Sequence, residues 1–182
     1  MFNIFATRVE VEEGEVLKAD AEGLLLAAND HLWMGAGTAL AIKQAGGEEI
    51  EVEAVRQGPL AIGETAATGG GRLAFRRIYH AVVMGQDLKV QHAQLATALR
   101  SALAAAARDG LRSMAVAPLE SEELTGPFHE AARLVVEACF EELSGETSLE
   151  KVRLMTSKPE SRTAYREAFH AVLGGGSAAS GS

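Results

Sequence analysis

Apolar residues along the chain recur with the periods of strands and helices. The clearest strand covers residues 23–28, where three consecutive leucines precede two alanines, a run typical of a strand buried on both faces of a sheet. The pattern also predicts an edge strand at 3–11 and further strands at 63–68, 75–84, 113–119 and 151–155. Helical periodicity covers residues 38–45, 48–57, 90–109, 127–143 and 160–173.

This order of strands and helices predicts an α/β protein, a three-layer α/β/α sandwich around a mixed, mostly parallel central sheet. With 182 residues the chain is long enough for one domain with a substantial core, which we predict at residues 1–173. Residues 174–182 are all glycine, serine or alanine. We expect them to form a flexible tail, because they cannot bury apolar surface.

Composition limits the class of protein. Hydrophobic residues make up 47% of the chain and charged residues 23%, which is ordinary for a globular protein. No apolar run approaches the roughly 20 residues of a membrane span, and the first residues lack the basic region and apolar core of a signal peptide. Cys139 is the only cysteine, so an internal disulfide is excluded and a buried, inert thiol is expected. We therefore expect a cytoplasmic protein without a membrane partner.

The net charge of -8 argues against duplex DNA or RNA as the partner, because binding to phosphates requires clustered lysine and arginine. Arg72, Arg76 and Arg77 flank one predicted strand, an arrangement more typical of a solvated edge than of a binding patch. A small anion held by backbone groups is compatible with this charge. The sequence predicts no cofactor and no resident metal ion, since it has no metal or nucleotide motif such as HExxH or Gly-Lys-Ser/Thr.

The predicted buried strand leads into a candidate ligand site. It ends at Asn29, whose side chain carries two amide donors and a carbonyl acceptor. A loop with Gly35-Ala36-Gly37 and a helix that begins at Thr38 follow, so backbone N–H groups can face an anion. In open α/β sheets, ligands bind at this position, outside the carboxyl ends of the strands. In a plainer interpretation, Asn29 caps its own turn and the glycines form only a tight turn.

Several segments, taken in order, resemble the motifs of the macro domain family. Residues 14–16 (Gly-Glu-Val) resemble its Gly-Asp-Ile, residues 26–29 (Leu-Ala-Ala-Asn) its Asn-Ala-Ala-Asn strand end, and residues 35–42 its glycine-rich loop and helix. Further resemblances, to its Gly-Glu-Ala-x-x-Thr, Val-Ile-His and Ser-Ile-Ala-Phe segments, lie at residues 63–68, 78–81 and 113–116. The similarity is collinear from about residue 8 to residue 170.

The resemblance implies recognition of ADP-ribose and, as in many members, hydrolysis of ADP-ribosyl esters or related conjugates. It assigns the distal ribose to Asn29, which would also be the catalytic residue, and the first phosphate loop to residues 35–38. The ligand-binding residues that it implies are Glu15, Val16, Ala28, Asn29, Gly35, Ala36, Gly37, Thr38, Ala39, Ser121, Glu122, Glu123, Leu124 and Thr125. An ADP-ribosylated protein would then be a candidate partner.

Two departures from the family pattern change the expected chemistry. Glu15 stands where the family commonly has an aspartate that accepts from the adenine amino group, so the carboxylate is kept but reaches further. Ala39 stands where one hydrolase branch has an aspartate that positions water. The alanine favours binding over hydrolysis.

A third departure follows the strand predicted at 113–119, where the family has a second glycine-rich loop around the phosphates. Residues 120–126 read Glu-Ser-Glu-Glu-Leu-Thr-Gly here, with glutamate at two positions that the family fills with glycine. Glutamate disfavours the positive φ and the close backbone approach that glycine allows. Each carboxylate also repels a pyrophosphate, by about 1 kcal/mol for a pair of charges about 4 Å apart in bulk water.

Three interpretations of this acidic loop are open. Its carboxylates, on Glu120, Glu122 and Glu123, could point into solvent, as charge runs usually do, and leave the phosphate contacts weakened. They could hold a divalent cation that bridges carboxylate and phosphate, since hard cations prefer oxygen ligands. The pocket could also hold a different ligand, such as a nucleoside, whose hydroxyls donate to the glutamates.

Three functions fit the sequence. The first is a binding module for ADP-ribose or a related nucleotide metabolite, divergent in its second phosphate loop. The second is a hydrolase that removes ADP-ribose from ADP-ribosyl esters or acyl derivatives, using Asn29 and a water held by the substrate. The third is a degenerate domain kept for protein contacts. Among the other polar and aromatic residues, we interpret His80 as a core histidine, and Trp33 and Met34 either as a wall beside the sugar or as an anchor for the loop.

Overall fold

Seven strands form one sheet in the computed structural model, which describes residues 1–119 and 128–174. The strands are β1 (Phe2–Ile4), β2 (Thr7–Glu13), β3 (Gly23–Asn29), β4 (Thr65–Gly69), β5 (Arg77–Met84), β6 (Ser113–Val116) and β7 (Lys151–Thr156). Their spatial order is β1-β2-β7-β6-β3-β5-β4. The inner strands pair parallel, while β1 and β4 pair antiparallel to their neighbours at the two edges. The predicted mixed, mostly parallel sheet is confirmed.

Helices cover both faces of this sheet. They are α1 (Gly37–Gly46), α2 (Glu49–Val55), α3 (His92–Arg108), α4 (Phe128–Leu143) and α5 (Pro159–Gly174). In β3, Leu24 and Leu26 pack with Ile42 of α1, whereas Leu25 packs in the cluster that α3, α4 and α5 form on the other face. Successive strand side chains point to opposite faces, so the leucine run supplies both cores at once. The three-layer α/β/α sandwich is therefore confirmed.

The edge strand predicted at residues 3–11 is wrong, because the chain reverses within it. Phe5 and Ala6 form a two-residue turn between β1 and β2, and Phe5 has a φ of 51°. The apolar pattern changes phase at this point, since Ala6 and Val9 are three residues apart rather than two. Thr7 is fully buried, and its Oγ1 donates to a backbone carbonyl just before β7 at 2.6 Å. These contacts make β1 the edge strand and β2 an inner one.

The other predicted elements are found within a few residues of their expected limits. The strand predicted from Phe75 begins at Arg77, and Phe75 packs instead in the apolar cluster beneath α1. A 3-10 turn at Val16–Lys18 was not predicted. Gly174 is the last residue of α5, and the rest of the predicted tail, 175–182, lies outside the described residues. Among the residues described, no helix has the length and apolar character needed to cross a membrane.

Side chains on and just after α2 close the outer edge of β4. Gln57 Nε2 donates to the carbonyl oxygen of Ala67 at 2.8 Å, and Gln57 Oε1 accepts from the Ala67 N–H at 3.4 Å. Glu53 Oε2 accepts from the Gly69 N–H at 3.0 Å. Gln57 thus imitates the peptide group of a further strand. The backbone groups of Ala67 and Gly69 on this edge could otherwise pair with a strand of another chain, but here they are hydrogen-bonded to side chains of the same chain.

His80 and Cys139 are buried as the sequence predicts. His80 is 1% exposed, and its Nε2 lies 3.0 Å from Thr68 Oγ1. Burial lowers the pKa of His80 to about 4. Burial also raises the pKa of the Cys139 thiol to about 12, which keeps the thiol protonated and unreactive. Both residues therefore belong to the core rather than to a catalytic site.

Replacing Gln57 with alanine should lower the free energy of unfolding by about 1 kcal/mol, because two edge hydrogen bonds of β4 are exchanged for bonds to water. Gln57→Glu keeps the acceptor for the Ala67 N–H but places a carboxylate oxygen against the Ala67 carbonyl oxygen, so its loss should be at least as large. Urea unfolding of the three proteins measures the difference. Equal stability of Gln57→Ala and the native chain would show that the side chain does not secure the edge.

His80 should make the fold less stable in mild acid. Its pKa is about 4 in the folded chain and about 6.5 in an unfolded one, so the unfolded state binds more protons in this range and stability rises with pH. Between about pH 7 and about pH 5 this group should lower the stability by about 2 kcal/mol, and the total loss should reach about 3 kcal/mol below the folded pKa. His80→Gln should flatten the pH dependence of urea unfolding over this range. The same slope in both proteins would contradict the assignment.

Candidate functional site

Three strand ends meet at one edge of the sheet. The carboxyl end of β3 lies between the carboxyl ends of β5 and β6, with which it pairs in parallel. The loops that leave these strands are therefore neighbours, in the position where parallel sheets bind ligands. The loop after β3 runs to α1, and the loop after β5 begins at Gly85.

Asn29 holds the loop after β3 together. Its Oδ1 accepts from the backbone N–H groups of His31 and Trp33, both at 3.2 Å, and its Nδ2 donates to the carbonyl oxygen of Trp33 at 2.9 Å. The plainer interpretation, in which Asn29 caps its own turn, thus describes a real part of its role. Oδ1 is fully used, but the described residues take only one of the two Nδ2 hydrogens. Among the described residues, the second Nδ2 hydrogen has no acceptor.

Residues 35–38 present exposed backbone at the N-terminus of α1. Gly35, Ala36, Gly37 and Thr38 are all exposed, and a Cβ added to either glycine would meet nothing within 4 Å. Gly37 has a φ of +58°, which other residues adopt only with strain. No side chain of the described residues caps α1 at Ala36. The first N–H groups of the helix, which have no partner within it, and its dipole can therefore receive an anion.

Glu51 of α2 supports this loop from behind. Its Oε2 accepts from the backbone N–H of Met34 at 2.5 Å, and Lys43 Nζ lies 3.3 Å from both of its carboxylate oxygens. Met34 is itself 1% exposed, so the chain is anchored immediately before Gly35. The sequence did not single out Glu51, because it is one of several glutamates on α2 and nothing in its spacing distinguishes it.

The remaining predicted ligand residues on the described part of the chain differ in exposure. Glu15 is exposed, with Oε2 2.9 Å from Lys18 Nζ. Val16 and Ala28 are each 7% exposed and pack in the core, so they offer a ligand backbone groups rather than side chains. Ala39 packs partly buried against the cluster that contains Val16. Only Glu15 of these four brings a polar side chain.

The acidic loop carries the other five predicted ligand residues. Ser121, Glu122, Glu123, Leu124 and Thr125, together with residue 120, lie outside the described residues. The segment that leads to it is described, and Ala117, the first residue after β6, donates its backbone N–H to the carbonyl oxygen of Leu25 in β3 at 2.8 Å. Within the described ranges, no three His, Cys, Asp or Glu side chains are grouped to hold a metal ion. The ligand role of this loop stays a prediction.

Asp30, His31, Trp33 and Gln86 form a group beside Asn29 that we call the rim cluster. His31 Nδ1 lies 2.9 Å from Asp30 Oδ1 and 2.8 Å from Gln86 Nε2, and it is Asp30 Oδ1 that accepts from Gln86 Nε2. The bonds to His31 and then to Gln86 lower the pKa of the Asp30 carboxyl. The rings of His31 and Trp33 are 4.9 Å apart, and Trp33 is 53% exposed. Met34 therefore anchors the loop, whereas Trp33 faces solvent.

Comparison with known proteins identifies the family. The family model of the macro domain matches residues 26–135, more than half of the chain. This chain belongs to the macro domain family. An uncharacterised protein of Aquifex aeolicus is 32% identical over 130 residues, which cover 71% of this chain and 79% of the relative. One from Pyrobaculum aerophilum is 30% identical over 180 residues, which cover 96% of this chain and 98% of the relative.

Solved macrodomains have the same fold. A mutant of the Oceanobacillus iheyensis macrodomain is 25% identical and superposes with a TM-score of 0.84, over 96% of this chain and 97% of that one. Another mutant of the same macrodomain, with ADPR, is 27% identical with a TM-score of 0.79, over 95% of this chain and 97% of that one. The resemblance read from the sequence motifs is thus confirmed along nearly the whole described chain.

Glu51→Ala should loosen the loop before Gly35, because the Met34 N–H loses its charged acceptor. The expected loss of stability is about 1 to 3 kcal/mol, and the fluorescence anisotropy of the neighbouring Trp33 should fall. Glu51→Gln keeps an acceptor of the same shape but loses the ion pair with Lys43, so it should retain most of the anisotropy. Unchanged anisotropy in Glu51→Ala would show that the loop holds its place without this carboxylate.

Proposed function

We propose that this macro domain binds ADP-ribose or a closely related nucleotide metabolite at the carboxyl end of β3. The observation that carries the proposal is the uncapped N-terminus of α1 behind the exposed segment 35–38. Backbone N–H groups in this arrangement match a pyrophosphate. Oceanobacillus iheyensis macrodomains with ADPR and with ADP lend support from within the family.

Each described part of the site has a role in this proposal. The segment 35–38 holds the pyrophosphate through backbone N–H groups. Asn29 donates its remaining Nδ2 hydrogen to a hydroxyl of the distal ribose. Glu15 accepts from the adenine amino group, which costs little because its ion pair with Lys18 is exposed on both sides. The family's aspartate at this position is shorter, so the adenine would sit slightly further from the backbone.

The acidic loop is expected to weaken binding rather than abolish it. Glu120 and Glu122 replace glycines that would approach the phosphates, and their charges oppose those of the ligand. The N-terminus of α1 supplies a second, independent set of donors to the same pyrophosphate. The proposed ligand is therefore bound more weakly than by a relative with two glycine-rich loops.

Binding fits the described residues better than hydrolysis does. Ala39 carries no carboxylate to orient a water, and the carboxylate of Asp30 in the same loop is engaged by His31 and Gln86. Hydrolysis of ADP-ribosyl esters by Asn29 and a substrate-held water is the second candidate, and a domain without ligand is the third. An ADP-ribosylated protein in the cytoplasm is the partner that the first two would share.

Calorimetric titration with ADP-ribose tests the proposal. The native chain should bind with micromolar affinity, and Asn29→Ala should weaken binding by about tenfold or more, since it removes a ligand donor and opens the loop. Asn29→Asp keeps the two loop bonds that Oδ1 accepts but loses the Nδ2 donor to the ligand and to the Trp33 carbonyl oxygen, so the part of the loss that it reproduces belongs to that donor. Asn3→Ala on the edge strand β1 is the matched control and should leave the affinity unchanged.

Further arms of the titration distinguish the alternatives. A double variant with Glu120→Gly and Glu122→Gly should bind more tightly if the carboxylates oppose the phosphates. Tighter binding by the native chain with Mg²⁺ would favour a bridging cation. Release of ADP-ribose from an ADP-ribosylated peptide that is lost in Asn29→Ala would establish the hydrolase. Absence of binding by both the native chain and the double variant would overturn the proposal and leave the domain without this ligand.

A further inference from the structure

We propose that the rim cluster is a subsite for a planar cation attached to the anomeric carbon of the terminal ribose. This inference rests on the proposed function, because it extends the ligand beyond the ribose that Asn29 would bind. It adds a specificity element that the binding of ADP-ribose itself does not need. No covalent step is involved.

The position of Trp33 relative to Asn29 is fixed by hydrogen bonds. Two of them join the side chain of Asn29 to the backbone N–H and carbonyl oxygen of Trp33. A group attached to a ribose at Asn29 is therefore presented to the same small loop that carries the indole. The carboxylate of Asp30, the residue directly after Asn29, lies 2.9 Å from Nδ1 of the His31 ring that packs on this indole.

The side chain of Trp33 is exposed to solvent, but packing against a neighbouring ring holds it in place. The indole is 53% exposed although its ring packs against that of His31, with the centroids 4.9 Å apart and the planes at 31°. His31 is in turn held by the carboxylate of Asp30, which also accepts from Gln86 of the loop after β5. A large apolar side chain held open in this way at a ligand edge is suited to stacking on a flat group.

The charge of the cluster selects a cation among flat groups. The face of an indole attracts positive charge, and the adjacent carboxylate of Asp30 does so as well. Its hydrogen bonds to His31 and Gln86 lower the pKa of this carboxyl, so it is ionised at neutral pH. Residues 29–38 contain no lysine or arginine. A second anion would be repelled here, and a neutral ring would gain only the stacking.

Two ligands carry such a group on a ribose of this kind. One is the oxidised nicotinamide dinucleotide, whose pyridinium ring is flat and positively charged. The other is an arginine side chain that has been ADP-ribosylated on its guanidinium. The shared chemistry is a planar cation bonded to the ribose, and the two sources are separated by experiment.

The dinucleotide provides a matched pair of probes. NAD⁺ and NADH have nearly the same size and the same two ribose units, but only NAD⁺ carries the positive ring. We expect the native chain to bind NAD⁺ about three- to tenfold more tightly than NADH, from the cation–π contact and the carboxylate together. Trp33 is the only tryptophan of the chain, so NAD⁺ should quench the intrinsic fluorescence while ADP-ribose changes it little.

Variants assign the preference to the rim cluster. Trp33→Leu should reduce the ratio of NAD⁺ to NADH affinity to near one and leave ADP-ribose affinity within about twofold, because only the exposed side chain is lost. Asp30→Asn removes the charge but keeps an acceptor for Gln86, and it should lower the ratio partly. Trp33→Phe keeps a weaker aromatic face and should give an intermediate ratio.

The outcomes separate this inference from the proposed function. Binding of ADP-ribose with equal affinity for NAD⁺ and NADH, and with no preference for the arginine-linked peptide, overturns the inference and leaves the function standing. No binding of ADP-ribose overturns both. A preference for an arginine-linked over a serine-linked ADP-ribosyl peptide, lost in Trp33→Leu, supports the guanidinium as the source. A preference confined to NAD⁺ supports the pyridinium.

Discussion

Hydrogen bonding of β3 to β5 on one side and to β6 on the other brings three strand ends to one edge of the sheet. This pairing depends on the leucine run of β3, which fills the cores on both faces. The register between β3 and β5 shifts between Ala28 and Asn29. Such an irregularity re-aims a side chain at the end of a strand. Asn29 consequently turns into its own loop, and the whole candidate site is arranged around that residue.

One loop then serves two purposes. Asn29 uses three hydrogen bonds to close the segment up to Trp33, and Glu51 fixes the next residue from behind. The segment from Asn29 to Met34 is therefore held in place, and it leads directly into the exposed backbone of residues 35–38. A loop held at both points can present donors to a phosphate without first being ordered, which lowers the entropic cost of binding.

The sequence predicted those parts of the molecule that depend on local pattern. The leucine run located β3, and the glycines at positions 35 and 37 located the exposed loop. Contacts between distant segments could not be predicted in this way. Glu51 reaches the loop from 17 residues away, and Gln86 reaches Asp30 from 56 residues away. The turn at Phe5 was not predicted for a different reason, since an aromatic residue is not typical of turns and its sequence does not reveal a positive φ.

Helix α2 and the residues just after it contact two distant features of the molecule through neighbouring side chains. Glu51 accepts from the backbone N–H of Met34 in the loop after β3, while Glu53 and Gln57 hydrogen-bond to backbone groups on the outer edge of β4. Local unfolding of this one short helix would release both features together, so they share a single opening free energy. A ligand that requires the ordered loop lowers the population of the opened state. Occupancy of the site by the proposed ligand would thus also keep the sheet edge closed to strands of other molecules, so binding and resistance to self-association would be linked.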